Sequence, residues 1–145
     1  MFDPNDFDKS KFTNQPYVKR VEKPWGYEIH WVPEGLPYMG KILHINAGHR
    51  LSLQIHDLKQ ETYWLTNGDC DLLLENTKGE LETIHMQKGV SYTTMPGQKH
   101  RHVAVTDCDV MEASMPEGGT TLRLEDDYKR PDETPDQRKK ERGEE

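Results

Sequence analysis

The sequence predicts an all-β domain, built as an antiparallel barrel or sandwich. Short apolar or alternating segments recur at intervals of roughly ten residues, with turn-forming residues between them. A chain of 145 residues has the size of one domain. Its apolar fraction of 32% suits a small barrel with polar ends better than a helical bundle.

Residues 1–17 are expected to form a polar N-terminal arm without a core of its own, because proline and asparagine interrupt any regular pattern. Phe2, Phe7 and Phe12 recur every five residues. This spacing would let the arm lie across the barrel or a neighbouring subunit.

Residues 18–130 form the predicted β domain. Alternating side chains and turn pairs such as Asn67-Gly68 delimit its strands. The predicted strands cover residues 25–32, 39–47, 51–55, 62–66, 70–74, 81–86, 90–94, 102–105, 110–114 and 121–124.

Residues 131–145 form a charged C-terminal tail. Thr134, Pro135 and Gln137 give a capping-box pattern, which predicts a short helix that begins at Pro135. The helix has no apolar stripe, so we expect it to be solvated and to take no part in a functional site.

The composition excludes several classes of partner. A net charge of −7 argues against nucleic acid, which requires a basic surface. No apolar run approaches the ~20 residues of a membrane helix, and the acidic N-terminus does not resemble a signal peptide. We therefore expect a cytoplasmic protein in which Cys70 and Cys108 are reduced and buried. The sequence leaves a disulfide between them as the alternative.

Three potential metal ligands lie in the segment 48–68. Gln54 and His56 are two apart in a predicted strand and therefore project from the same face. Glu61 begins the next apolar segment after a short polar turn, so two antiparallel strands would bring the three together. The segment 96–102 offers a fourth ligand.

Such nitrogen and oxygen donors suit one borderline divalent ion per subunit, with zinc or manganese favoured and iron, cobalt or nickel possible. Four protein ligands would leave positions open for water or substrate. For Gln54 taken alone, an ordinary polar residue on a strand is the better interpretation.

The spacing of these residues resembles the first motif of the cupin superfamily: a glycine, five residues, His-x-His, three or four residues, a glutamate, six residues and a glycine. Gly48, His56, Glu61 and Gly68 match it, and Gln54 departs from it. The resemblance implies a cupin double-stranded β-helix, or jelly-roll barrel, that forms a homodimer.

The second cupin motif resembles the segment from Gly89 to Pro96, with Gly97 and His100 following. It has one extra residue before the proline, and Ala104 stands where asparagine is usual. By this resemblance His100 is the fourth ligand. The glutamine in the first motif and the segment 24–28 narrow the match to the cupin domain of type II mannose-6-phosphate isomerases.

That resemblance implies an aldose–ketose isomerase that acts on a phosphorylated sugar through a metal-stabilised enediolate. We expect His102 to be the proton-transferring base, with Glu112 and Lys41 in reserve. His102 could equally be a histidine with satisfied hydrogen bonds at the barrel mouth. Arg101 would bind the phosphate, although strand alternation points it away from His100, with Arg50 and Lys41 as alternatives.

Two other classes of function remain open from the sequence. The first is a different metal-dependent cupin enzyme, such as an epimerase, a dioxygenase or a tailoring enzyme of natural-product pathways. The second is a sugar-binding cupin without catalytic activity.

Overall fold

The computed structural model describes residues 1–144 and confirms the all-β prediction. Two antiparallel sheets face each other as in a jelly roll, and a short α-helix follows them. The elements are β1 (Lys19–Lys23), β2 (Gly26–His30), β3 (Met39–Ile45), β4 (Leu53–His56), β5 (Glu61–Asn67), β6 (Cys70–Glu75), β7 (Leu81–His85), β8 (Ser91–Thr94), β9 (His100–Ala104), β10 (Cys108–Ser114), β11 (Thr121–Glu125) and α1 (Pro135–Glu141).

The strand order is β1-β2-β3-β10-β5-β8 in the larger sheet and β11-β4-β9-β6-β7 in the smaller one. Side chains alternate between the interior and the surface, as the sequence pattern predicted. In β5, for example, Glu61, Tyr63 and Leu65 are buried, whereas Trp64 is exposed. Cys70 and Cys108 are both buried and unbridged.

The barrel interior has an apolar end and an ionic end. Along β5 the inward residues change from Leu65 and Tyr63 to Glu61, and along β10 they change from Val110 to Glu112. Strand pairing places Glu112 opposite both Tyr63 and Lys41, which is the inward cation of β3. The charged side chains are therefore gathered at one end of the barrel.

A stripe of apolar residues crosses the outer face of the larger sheet. In the strand register Ile29 lies opposite Ile42, Ile42 opposite Met111, and Met111 opposite Trp64. Met111 is 37% exposed and Trp64 is 43% exposed. The homodimer implied by the family resemblance stays a prediction.

The N-terminal arm contains two single-turn 3-10 helices, Pro4–Asp6 and Lys9–Lys11. Its three phenylalanines are 52–73% exposed, so within one chain the arm does not bury them against the barrel. Among residues 1–144, no helix is both long enough and apolar enough to cross a membrane.

Helix α1 begins where the capping box predicted, and the Thr134 hydroxyl accepts a hydrogen bond from the Gln137 amide at 3.1 Å. The expectation of a solvated tail holds only in part, because no residue of α1 is buried but two arginine side chains are largely covered. The side chains of Arg138 and Arg142 are only 12% and 8% exposed, because both pair with carboxylates of the preceding chain. Ion pairs, and not apolar burial, attach this helix to the barrel.

The turn between β5 and β6 requires glycine at position 68. Gly68 has φ +76, and a Cβ atom there would lie 2.0 Å from the carbonyl oxygen of Asp107. Gly48 also has φ +76, but a Cβ atom at that position would meet no atom within 4 Å. A comparison of the two glycines therefore distinguishes the cost of a left-handed backbone from the cost of steric overlap.

Gly48→Ala should lower the free energy of unfolding by about 1–2 kcal/mol, the cost of the left-handed conformation alone. Gly68→Ala should lower it clearly further, because the backbone around Asp107 must also move. Chemical denaturation of both variants measures the difference. Equal losses would contradict the proposed overlap.

Candidate metal centre

Strand pairing brings the sequence-predicted ligands into one place. Gln54 in β4 lies directly opposite His100 in β9, and His56 follows two residues along β4 on the same face. Glu61 starts β5 in the facing sheet. One ligand atom from each of His56, Glu61 and His100 lies within 4.8 Å of the others, and all three residues are buried.

Hydrogen bonds on the far side of each imidazole orient the two histidines. His100 Nδ1 donates to the carbonyl oxygen of Gln98 at 2.9 Å, which leaves the lone pair of Nε2 directed at the centre. His56 Nδ1 lies 2.8 Å from the Thr121 hydroxyl, so its Nε2 also faces inward. Partners of this kind fix the tautomer and ring position of metal-binding histidines.

Glu61 supplies the observation that tests whether a cation fits. Its Oε1 contacts His56 Nε2 and lies 3.6 Å from His100 Nε2, yet it is buried and accepts no hydrogen bond from residues 1–144. A buried carboxylate oxygen without a partner is costly. A divalent cation between these three atoms would satisfy it, so the donor set fits a metal.

Gln54 completes the set of candidate ligands when its side-chain amide is rotated by half a turn. Its Nε2 lies 3.4 Å from His56 Nε2 and 3.3 Å from His100 Nε2, while its Oε1 accepts a hydrogen bond from Ser52 at 2.8 Å. A half-turn of the amide exchanges the two atoms and presents Oε1 to the centre. The Ser52 hydroxyl can then accept from Nε2 instead.

A lysine and a second glutamate flank the centre. Lys59 Nζ lies 3.3 Å from Glu61 Oε2 and 3.3 Å from Glu112 Oε2. Burial, followed by the charge of Glu61, raises the pKa of Glu112 to about 8. Burial alone would lower the pKa of Lys59, but the carboxylates of Glu112 and Glu61 outweigh it and raise that pKa.

A second group of potential ligands lies beside this one: Glu28, His30 and Glu117. Lys41 occupies the space between its carboxylates, since Nζ is 3.5 Å from Glu28 Oε1 and also contacts Glu117 Oε1. Arg142 adds another ion pair to Glu117, at 2.7 Å. Cations of the chain thus already neutralise this cluster.

The structure does not support the proton-shuttle role expected of His102. Its side chain is 1% exposed and packs edge-on against Tyr63, with 4.4 Å between the ring centroids. Burial, reinforced by His100, lowers the pKa of His102 to about 3. His102 also differs from the alternative prediction, because it lies deep in the barrel and its Nε2 has no hydrogen-bond partner among the described residues 1–144.

Arg101 faces away from the candidate ligands, as the alternation of β9 requires. Its Nε donates to the carbonyl oxygen of Leu51 at 2.8 Å, and its terminal nitrogens bind Glu125. Arg101 therefore ties the end of β11 to the barrel and does not reach the site. Arg50 is also outside it, paired with Asp127 through two 2.8 Å hydrogen bonds.

The site opens into one central cavity of about 70 Å³. This volume is several-fold below the ~300–1,000 Å³ usual for small-molecule pockets. The residues that line the cavity include Lys23, His56, Glu61, Glu112, Arg138 and Arg142. Arg138 belongs to α1 and Arg142 is its C-cap residue, so the C-terminal helix forms part of the cavity wall. This role was not predicted from the sequence, in which the charged residues of the tail give no sign of their distant partners.

Comparisons with known proteins identify the fold. No protein-family model matches the sequence, and no curated protein matches it. The Bacillus subtilis oxalate decarboxylase structure at pH 4.6 matches with a TM-score of 0.63 and 15% identity over 83% of this chain and 35% of that one. The Lactobacillus farciminis oxalate decarboxylase formate complex matches with a TM-score of 0.61 and 16% identity. This match covers 74% of this chain and 33% of that one.

A third similar structure is the capsular polysaccharide assembling protein CapF of Staphylococcus aureus, with a TM-score of 0.57 and 11% identity over 81% of this chain and 34% of that one. The chain spans about a third of the length of these three proteins. At such identities the likeness establishes the fold alone. The chain is a cupin-fold protein with a candidate metal centre, and its narrower likeness to mannose-6-phosphate isomerases stays a prediction.

Arg142→Gln should loosen α1, because it removes the ion pair between the C-cap residue of this helix and Glu117. Hydrogen exchange of residues 131–144 should speed up, while the strands stay protected. Lys139→Gln is the matched control, since Lys139 is exposed on the same helix. Equal exchange in both variants would show that the ion pair does not hold the helix.

Proposed function

We propose that this protein is a metal-dependent cupin enzyme, with one divalent ion held by Gln54, His56, Glu61 and His100. The observation that carries the proposal is the unpaired, buried Oε1 of Glu61 between two inward-facing imidazole nitrogens. Manganese and zinc are the first candidates, and iron, cobalt and nickel also suit the mixed donors. One similar structure is described by its Mn(II) centres, that of Bacillus subtilis oxalate decarboxylase, which supports manganese.

The reaction we propose is aldose–ketose isomerisation of a sugar phosphate, most simply of mannose 6-phosphate and fructose 6-phosphate. The bound ion would supply Lewis-acid stabilisation of charge on the substrate oxygens. The cupin motifs around Gln54 and the segment 24–28 support this substrate class.

Glu112 replaces His102 as the proposed base that moves a proton between the two carbons. It lines the central cavity, whereas His102 does not. Lys59 and the Ser114 hydroxyl, at 3.3 Å and 2.8 Å from Glu112 Oε2, hold that carboxyl group in place. A base positioned by such neighbours is what proton transfer beside a carbonyl requires.

The size of the cavity favours a second candidate function. A volume of about 70 Å³ suits a small carboxylate better than a hexose phosphate, unless α1 moves. Two of the similar proteins are named as oxalate decarboxylases. We therefore also propose, as the alternative, a metal-dependent enzyme that acts on a small carboxylic acid.

The first test follows mannose 6-phosphate in D₂O by proton NMR with metal-loaded protein. Isomerisation predicts fructose 6-phosphate formation or deuterium at C2, because the proton abstracted at that carbon exchanges with solvent. His56→Ala should lose both the metal and the signals. His85→Ala, which alters an exposed histidine of β7, should keep them.

Turnover by metal-free protein would contradict the proposed site. With metal bound, the absence of exchange from mannose 6-phosphate, fructose 6-phosphate and other sugar phosphates would rule out the isomerase. Parallel samples with ¹³C-labelled oxalate test the alternative, for which the expected products are formate and carbon dioxide.

Glu112→Gln should retain metal but slow the exchange by about 10²–10⁴-fold, the usual contribution of a positioned acid–base group. The amide keeps the size of the side chain and removes its ability to accept the proton. Glu82→Gln, on exposed β7, is the control. An unchanged rate in Glu112→Gln would assign the proton transfer to another residue.

A further inference from the structure

Lys23 is a buried cation that the proposed chemistry does not use. It ends β1, lines the central cavity and has a side chain that is only 9% exposed. Its Nζ makes no hydrogen bond within residues 1–144, and the nearest carboxylate oxygen is Glu133 Oε2 at 4.0 Å. The other two lysines of the cavity, Lys41 and Lys59, each contact two carboxylates at 3.5 Å or less.

Lys23 shares Glu133 with two arginines, both of which bind this carboxylate at shorter distances. Arg123 donates to Oε2 at 2.9 Å and Arg138 donates to Oε1 at 2.9 Å. Arg123 also donates to both carboxylate oxygens of Glu141 and to the carbonyl oxygen of Pro131. Within residues 1–144, Arg138 makes one further hydrogen bond, to the carbonyl oxygen of Gly119 at 3.4 Å.

Close ion pairs in this corner involve more cations than carboxylates. Within 4.0 Å, Lys23, Arg123 and Arg138 share two carboxylates, Glu133 and Glu141. An ammonium group with little access to water gains from a paired or hydrogen-bonding partner. The spare donors of this corner can therefore bind an anion that enters the cavity.

We propose that Lys23 and Arg138 form an oxyanion subsite in the central cavity, which binds the phosphate or carboxylate group of the substrate. The inference deepens the proposed function and depends on it only in treating the cavity as the substrate site. The Lys23 ammonium offers three hydrogen-bond donors, and the Arg138 guanidinium offers N–H donors that lie in one plane. Because Arg138 belongs to α1, the subsite exists only when the C-terminal helix is docked.

Inorganic phosphate is the first probe, titrated calorimetrically into full-length protein with and without metal. Lys23→Gln and Arg138→Gln should each weaken phosphate binding by about tenfold or more in both forms, because each loses a charged hydrogen bond. Lys23→Arg should restore part of the affinity. Lys88→Gln, an exposed lysine outside the cavity, should leave it unchanged.

Mannose 6-phosphate, mannose and oxalate then identify the source of the anion. Tighter binding of mannose 6-phosphate than mannose, dependent on Lys23, assigns the subsite to a phosphate ester. The same dependence for oxalate assigns it to a carboxylate. Thermal unfolding and the metal content of each variant establish that it is folded. If Lys23→Gln does not fold, the phosphate affinity of Arg138→Gln provides the test.

Three results would overturn the subsite: no phosphate binding in any form, binding that disappears when metal is removed, or equal affinity in the two variants and the native protein. Failure of the isomerase gives a different pattern. In that case phosphate binding still depends on Lys23, while mannose 6-phosphate shows no exchange. Normal exchange in Lys23→Gln would instead retain the isomerase and reject the subsite.

Discussion

Charge that is buried in the barrel must be neutralised within it, and much of the architecture follows from that requirement. Lys41, Lys59, Glu28, Glu61 and Glu112 are at most 11% exposed at their side chains. An isolated charge in such surroundings is strongly unfavourable, so each must lie against an opposite charge or a hydrogen-bonding partner. The strand register provides this for Glu112, which lies opposite Lys41 and next to Lys59. The ionic end of the barrel is in this sense one cooperative unit.

The candidate metal centre lies where the ionic end meets the apolar end. His100 and Glu61 are held at this boundary by strands from opposite sheets, and Tyr63 packs on the apolar side of them. Water access is restricted there, so electrostatic interactions with a bound ion or substrate are strong. The same enclosure raises the pKa of Glu112 and lowers the pKa of His102. Both shifts have burial as their largest cause.

The C-terminal helix connects stability with access to the site. It buries no residue of its own, and its arginines pair with carboxylates that also face the cavity. A helix attached in this way can leave and return without exposing an apolar core. Since the cavity is small when the helix is docked, movement of α1 is the simplest route by which a larger ligand would enter.

The sequence alone determined the features that depend on local spacing. Alternation of apolar residues predicted most strands, and spacing suggested Gln54, His56 and Glu61 as candidate ligands. His100 was added through the resemblance to the second cupin motif. The cap at Thr134 was likewise predicted from three neighbouring residues. One strand, β1, was not predicted, and several boundaries moved. For example, β9 begins at His100, two residues before the predicted start, because its pairing with β6 extends that far.

The tertiary structure alone decided which charged residues serve the site. Arg101 and Lys23 both belong to strands and have the same sign of charge, yet Arg101 anchors β11 while Lys23 faces the cavity without a hydrogen bond. Their partners come from segments far away in the sequence, including α1. Burial and charge pairing depend on the sum of such distant contacts. For that reason the sequence suggested a set of candidate ligands, but it did not indicate which charged residues line the cavity.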